Sequence, residues 1–480
     1  MKYGIVMRNR ISSVSLIVNA VVFLSLFACG APEANAEPEK GAVRVLFLGH
    51  ESEHHNSNKF YPMLAKGLGR DAIYFDYVTT VEGALGDAAY LNKFDALLLY
   101  ANHGRITPRQ WRNLKAFVEG GGGFVPVHCA SWCFGNEPGF DQLVGGRFAS
   151  HKTGTFIAKV VDSKHPAMAG VKEFEAWDET YKHRNHNKKD RQVLMVREVA
   201  EKGDNITDPE PWTWVRTQGK GRVFYTASGH DERVWEQPAF HQLLKAGILW
   251  SVGDERKQSY DKFIAGRSPL KYEIRDNIPN YEKRSEPLPY QFPLSAKDSM
   301  DYTQAPVGFR LELFASEPDV INPIGLAWDE RGRLWVAETV DYPNEMTPNR
   351  VGNDKIKILE DTDGDGKCDQ VTVFADGLNI PTSLTFSRGG VIVAHVPDFL
   401  FLKDTDGDDK ADVREVLTTG WGTGDTHAGP SNLRYGFDNW IWGTVGYSGF
   451  RGEVGGKKLG FGSGVFRIKP DGSQLEFMHQ

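Results

Sequence analysis

Histidine is unevenly spread along this chain: eleven of its fourteen copies fall between His50 and His241. Imidazole has an unperturbed pKa near neutrality, so such clustering suits proton transfer or metal ligation. His50, His54 and His55 crowd into "GHESEHHN", His128 ends the strand-like run of "GGGGFVPVHCASWC", and His230 ends "RVFYTASGH". Asp178 and Glu179 add adjacent carboxylates, groups that act as general acid or base or orient an imidazole. Candidate catalytic residues are therefore His128, Glu179 and Asp178. Candidate pocket donors are His50, His54, His55, His151 and His230, with Arg222 either joining them or only fixing its hairpin. A zinc site built from His50, His55 and His128 is an alternative, although neither an HExxH motif nor Cys/His ligand spacing is present. Cys129 lacks the flanking glycines that a nucleophilic elbow needs.

The second half offers different chemistry. "DTDGDGKCD" from Asp361 and "DTDGDDKAD" from Asp404 set carboxylates at alternate positions, where a tight loop can turn several oxygens onto calcium. The expected ligands are Asp361, Asp363, Asp365 and Asp369 in one loop, and Asp404, Asp406, Asp408 and Glu415 in the other. Neither is a full EF-hand: Thr372 stands at the bidentate position of the first, and Asp409 replaces the glycine of the second. Solvated acidic turns are the other reading.

Elements must hold these residues. "VRVLFLGH", "IYFDYVTT" and "DALLLYA" are short apolar strands alternating with helices, the pattern of a parallel sheet covered on both faces. In "TPRQWRNLKAFVEGGGG", Thr107 is an N-cap, Pro108 opens the helix, Gln110 completes a capping box and Gly120 ends it. The next strand then carries His128 to the carboxyl edge of the sheet, where open α/β sheets bind ligands. His50 and His230 also follow strands, so one shared cleft is expected. Residues 253–305 turn to charge, proline and tyrosine and read as a linker lying against a domain. Beyond them, "NPIGLAWDERGRLWVAE", "IPTSLTFSRGGVIVAHV" and "GPSNLRYGFDNWIWGTVG" repeat a turn, a reverse turn and a β-rich strand. Strand repeats of this size predict propeller blades, here too few to close a ring.

The sequence "GGGFVPVHCAS", "GGRFASH", "DSKHPAMAG", "WDETY" and "GKGRVFYTASGH", in that order, resembles the trehalose-utilisation (ThuA-like) family over about residues 43–252. That resemblance implies a flavodoxin-like, class I glutamine amidotransferase-like three-layer α/β fold and action on disaccharides or their keto derivatives. It sets His128 where amidotransferases carry their nucleophilic cysteine, as general base or substrate ligand, with Glu179 as its partner. "IPNYEKR", "ELFASEP" and "RLWVAETVDYPNE" make residues 253–480 similar to the membrane-bound dehydrogenase propellers of large secreted bacterial proteins, with the propeller itself at 306–480. "DTHAGPSNLRYGFDNWIWGTVG" resembles soluble quinoprotein glucose dehydrogenases, which implies a catalytic base at His427 and pyrroloquinoline quinone as cofactor, with an external electron acceptor. Ser431 stands where that pattern has an arginine.

Composition sets the surroundings. With 40% hydrophobic and 25% charged residues and a net charge of −7, the chain has no basic footprint for nucleic acid. At 480 residues it exceeds one domain of about 100–200 residues. A cationic start, an apolar run over residues 11–28 and "ANA" before Glu37 form an export signal over residues 1–36. Cys29 in "LFAC" is a second cleavage site, where lipidation would anchor the protein at the envelope. A periplasmic or lipid-anchored protein is expected. The remaining cysteines, Cys129, Cys133 and Cys368, are too few for a disulfide framework, and no CxxCH haem motif occurs. The leading reading is an exported bifunctional carbohydrate-processing protein; the rival is a non-catalytic saccharide-binding scaffold.

Overall fold

The computed structural model describes residues 41–198, 209–275, 277, 280, 283–343, 346–347 and 349–480. The export signal and Cys29 lie outside the described residues. The chain divides into two units, Met1–Leu311 and Glu312–Gln480. No helix among the described residues is long and apolar enough to cross a membrane.

Among the described residues the first unit has fourteen strands, a short pair at Tyr272–Glu273 and Tyr290–Gln291 and twelve before it. The twelve are β1 (Val43–Leu48), β2 (Ile73–Val78), β3 (Ala96–Leu99), β4 (Gly123–Pro126), β5 (Arg147–Ser150), β6 (Thr153–Ile157), β7 (Lys159–Val160), β8 (Glu175–Glu179), β9 (Lys182–Arg184), β10 (Arg191–Arg197), β11 (Glu210–Gln218) and β12 (Gly221–Thr226). Eight of them form one sheet in the order β2-β1-β3-β4-β12-β11-β10-β7. The pairings from β2 through β12 are parallel, and those from β12 to β7 are antiparallel. All six residues of β1 and all four of β3 are buried, as expected for strands covered on both faces. Helices Ser57–Gly69 and Pro238–Ser251 pack on each other and on the sheet, and Val81–Leu85 packs against Pro108–Gly120.

The helix Pro108–Gly120 forms as its caps dictate. The Thr107 hydroxyl accepts from the Gln110 amide, the Gln110 side chain accepts from the Thr107 amide, and Pro108 occupies the first turn. Its end differs by one residue from the sequence reading: Gly120 is still helical, and Gly121, at φ +121°, closes it. The return to β4 requires that angle, which glycine adopts without a Cβ penalty.

Register aligns the strand ends. Leu48 pairs with Val78 and Leu99, Leu99 with Pro126, and Val127 bridges Thr226. His50, Asn102, His128 and His230 therefore all leave the same carboxyl edge. Beside it β6 and β8 form a separate antiparallel pair, with Thr153 opposite Glu179 and Gly154 opposite Asp178.

Residues 253–305 pack onto this unit. They include the helices Asp254–Gly266 and Ala296–Met300. Tyr260 is buried with its hydroxyl on the Asp71 carbonyl, Arg256 holds Asp95 at 2.7 Å, and Arg44 donates to the Ala305 carbonyl.

The second unit is almost entirely β. Three four-stranded antiparallel sheets cover residues 323–378, 381–419 and 430–479. They open at Pro323, Pro381 and Pro430, one residue after the starts of the sequence repeat. The opening strands pack side by side in succession. A hairpin, Phe450–Val454 with Lys457–Phe461, is inserted within the third sheet. Among the described residues no strand pairing joins the third sheet to the first, so ring closure is not part of this structure.

Candidate active site

β4 delivers His128 into a strained turn. Its φ is +48°, a left-handed value that is uncommon for a residue with a Cβ, and it opens the tight turn His128–Trp132. The imidazole is fully buried and stacks on Tyr181, ring centres 4.2 Å apart. Nδ1 lies 2.6 Å from the Ala227 carbonyl, so the proton sits there and is donated. Nε2 then faces Glu179 Oε2 at 3.2 Å. The turn is braced by the Tyr225 hydroxyl, 3.1 Å from the His128 carbonyl and 2.9 Å from His183 Nε2, with His183 held in turn by Glu210.

Glu179 is the hub. Its Oε2 also lies 3.5 Å from His55 Nε2, while Oε1 lies 3.3 Å from His151 Nδ1 and 3.4 Å from His230 Nδ1. His54 covers His55, ring centres 3.9 Å apart. The carboxylate is 4% exposed, His230 17% and His151 38%, so the cluster opens to solvent on the His151 side. Burial works against ionisation of Glu179, but the facing imidazoles of His128, His230 and His55 outweigh it and hold the carboxyl far below its usual range. Burial lowers His55 to about 3, against the opposing pull of Glu179. It lowers His54 as well. For His230 burial is outweighed by the adjacent Glu179 carboxylate, and the net shift is upward.

Three sequence candidates stand elsewhere. Asp178 is fully buried and accepts from the amides of Gly229, His230 and Glu179 at 3.0, 3.1 and 2.8 Å, so it anchors the 229–230 loop and does not face the cluster. Burial raises its pKa, with those contacts and His128 opposing. His50 is not a pocket donor either: Nε2 bonds the His55 carbonyl at 2.8 Å and Nδ1 accepts from the Asn102 amide. Arg222 grips Asp254 through both terminal nitrogens, at 2.9 and 2.7 Å, and has no part in the cluster. Cys129 is 1% exposed and its thiol is raised well above the ordinary range by burial, so the elbow presents an imidazole and no thiolate. Sequence reasoning missed Asn102, Tyr181, Tyr225, His183 and Glu210. Only the density of histidine around His183 could have signalled any of them.

In the second unit His427 lines a cavity of about 340 Å³ together with Tyr342, Thr382, Ser383, Asn432 and Arg434. Its Nδ1 is 2.8 Å from Asp425 Oδ1. The Asp425 carboxyl is lowered to about 2, first by the Tyr447 hydroxyl and then by His427. In the acidic loops Asp361, Asp363 and Asp365 converge, as do Asp404, Asp406 and Asp412. Asp369 instead accepts from Thr362, and Asp412 makes the matching bonds to Thr405. Asp408 accepts from the Lys410 amide. Glu415 is not a loop ligand: it sits within a strand opposite Phe401, 4.0 Å from Arg388.

Residues 44–251 match the family described as "Trehalose utilisation", ThuA. This segment is ThuA-like, with a mostly parallel α/β sheet covered by helices. Residues 295–480 match a domain of unknown function, DUF7133. No curated protein matches the chain. Similar solved structures include a ThuA-like protein from Bacteroides uniformis, 20% identical, covering 44% of this chain and 92% of its own at a TM-score of 0.38. Another from Parabacteroides merdae is 19% identical, covering 44% and 90% at 0.39. An oxidoreductase (glucose dehydrogenase) from Thermus thermophilus is 20% identical, covering 26% and 39% at 0.19.

Proposed function

We propose that the ThuA-like domain is a carbohydrate-active enzyme that removes a proton from a sugar hydroxyl, or from the carbon beside the ketone of a keto-sugar. The observation that carries this reading is Glu179, a nearly buried carboxylate with four imidazoles at 3.2 to 3.5 Å. His151 and His230 are the partly exposed members, each with Nδ1 on Oε1, which leaves Nε2 to meet a substrate oxygen. The carboxylate orients these rings and stabilises the imidazolium formed when one takes the proton. His128 and His55 hold the carboxylate from behind.

The second unit supports saccharide binding better than quinone chemistry. Pyrroloquinoline quinone carries three carboxylates, and the cavity beside His427 offers one guanidinium, Arg434, already on the Leu433 carbonyl. The residues present do not fit that cofactor. Hydroxyl and amide groups of Thr382, Ser383 and Asn432 are suited to sugar hydroxyls.

The test is incubation of the full chain with trehalose and with keto-glucosides, products followed by mass spectrometry. Glu179→Gln and His151→Ala are expected to lose at least about 100-fold in turnover, the usual worth of a positioned acid/base group, while His427→Ala keeps it. Equal turnover in all three, or none in the wild type, overturns the reading.

A further inference from the structure

We infer that the ThuA-like domain holds one divalent first-row transition-metal cation, ligated by His55 Nε2, His128 Nε2, His230 Nδ1 and the Glu179 carboxylate. These four ligand atoms lie within 4.8 Å of one another. The alternative zinc set of the sequence reading fails because both nitrogens of His50 are engaged elsewhere. His230 and Glu179 complete the group instead.

The spacing is that of a coordination shell. Metal–nitrogen bonds of about 2.0–2.1 Å in a tetrahedron put ligand atoms about 3.3–3.4 Å apart. The imidazole nitrogens stand 3.2, 3.5 and 3.4 Å from the carboxylate oxygens. The three rings also converge on each other, with centres 4.9, 5.2 and 5.8 Å apart.

Hydrogen-bond roles point the same way. The His128 proton is committed to the Ala227 carbonyl through Nδ1, so an Nε2 lone pair faces a carboxylate oxygen. Two acceptors at that distance, away from water, need a proton or a metal cation between them, and one metal serves His55, His128 and His230 together. His55 Nε2 and His230 Nδ1 are buried without a hydrogen-bond partner. His55 Nδ1 lies 3.1 Å from the Asn102 amide nitrogen, while Asn102 Oδ1 is buried and unpartnered. Turning that amide over, a reassignment of two near-identical atoms, lets Oδ1 accept the Nδ1 proton. That pairs the orphaned oxygen and frees the His55 Nε2 lone pair for the metal.

The supporting shell is present as well. Ligating histidines commonly donate their second N–H to a carbonyl or carboxylate. His128 does so to Ala227, Asn102 serves His55, and His50 fixes the His55 carbonyl. Imidazole with one carboxylate suits zinc, iron, cobalt or nickel. His151, 3.3 Å from Oε1 and 38% exposed, stands on the open side, where a sugar oxygen would complete the shell. Only that sugar oxygen rests on the sugar reading. The metal itself does not.

The test is metal content of the full chain, purified without a polyhistidine tag and measured by plasma mass spectrometry. About one equivalent of transition metal per chain is expected, as for a single mononuclear site. Glu179→Gln and His128→Ala should each lose most of it, while His427→Ala retains it. Cobalt loaded into the wild type should give three exchangeable, paramagnetically shifted imidazole N–H signals, a readout that does not depend on whether a variant folds. No bound metal after loading with zinc or cobalt, full content in Glu179→Gln and His128→Ala, or a cobalt spectrum without imidazole signals overturns the site. Sugar turnover enters none of these outcomes.

Discussion

Asp178 and Glu179 are neighbours in sequence and opposites in role. Successive residues of a strand point to opposite faces, so β8 can offer only one of them to the cluster. Glu179 faces four imidazoles, and Asp178 turns into the protein to collect three backbone amides. Asp178→Asn leaves an amide group facing an N–H donor. Urea denaturation should show a loss of about 1.5–3 kcal/mol, the worth of a hydrogen bond to a buried charge. A variant that unfolds like the wild type would mean the carboxylate does not hold the 229–230 loop. The sequence marked both carboxylates, but choosing between them required the strand's inward face. Arg222 was ambiguous for a similar reason. Its guanidinium reaches Asp254, a residue beyond the presumed domain end, and nothing local announces that pairing.

Elements were legible where their signals are local. Apolar runs without alternation gave away the parallel strands β1 and β3, and capping residues gave the helix Pro108–Gly120 to within one residue. Thr107→Ala removes the acceptor for the Gln110 amide, and the stability cost by thermal unfolding should be about 1 kcal/mol. Metal content and sugar turnover should not change, since Thr107 caps its own helix through Gln110 and is not among the cluster residues. An effect on either readout would tie the helix start to the site. The β6–β8 pair was not legible. It brings residues 153 and 179 together across an intervening loop, and short antiparallel pairs of mixed burial carry little periodicity. His55, His128 and His230 therefore follow strand ends that the sequence pointed to, while His151 and the central carboxylate flank the β6–β8 pair, which only long-range packing defines.

At the scale of the molecule, the boundary after the ThuA-like domain decides how the protein can be dissected. The family match ends at residue 251, yet the unit that packs together runs to Leu311. The hydrophobic core of the first unit includes Val252 and Tyr260, with Phe263, Ile264 and Val307 packed against it, whereas the second unit has two core clusters of its own. Composition suggested a linker because charge, proline and tyrosine outnumber aliphatic residues there, and a few anchoring aromatics are enough to fasten such a segment. Residues 41–252 alone would expose that surface and leave Asp95 without Arg256. Losing the burial of Tyr260 alone costs about 2 kcal/mol. For a unit of this size that lowers the melting temperature by roughly 4–8 °C relative to residues 41–311. Differential scanning calorimetry of the two fragments measures it. Equal melting temperatures would make residues 253–311 a tether after all, and a 41–311 fragment that keeps its metal would show that the site is complete within the first unit.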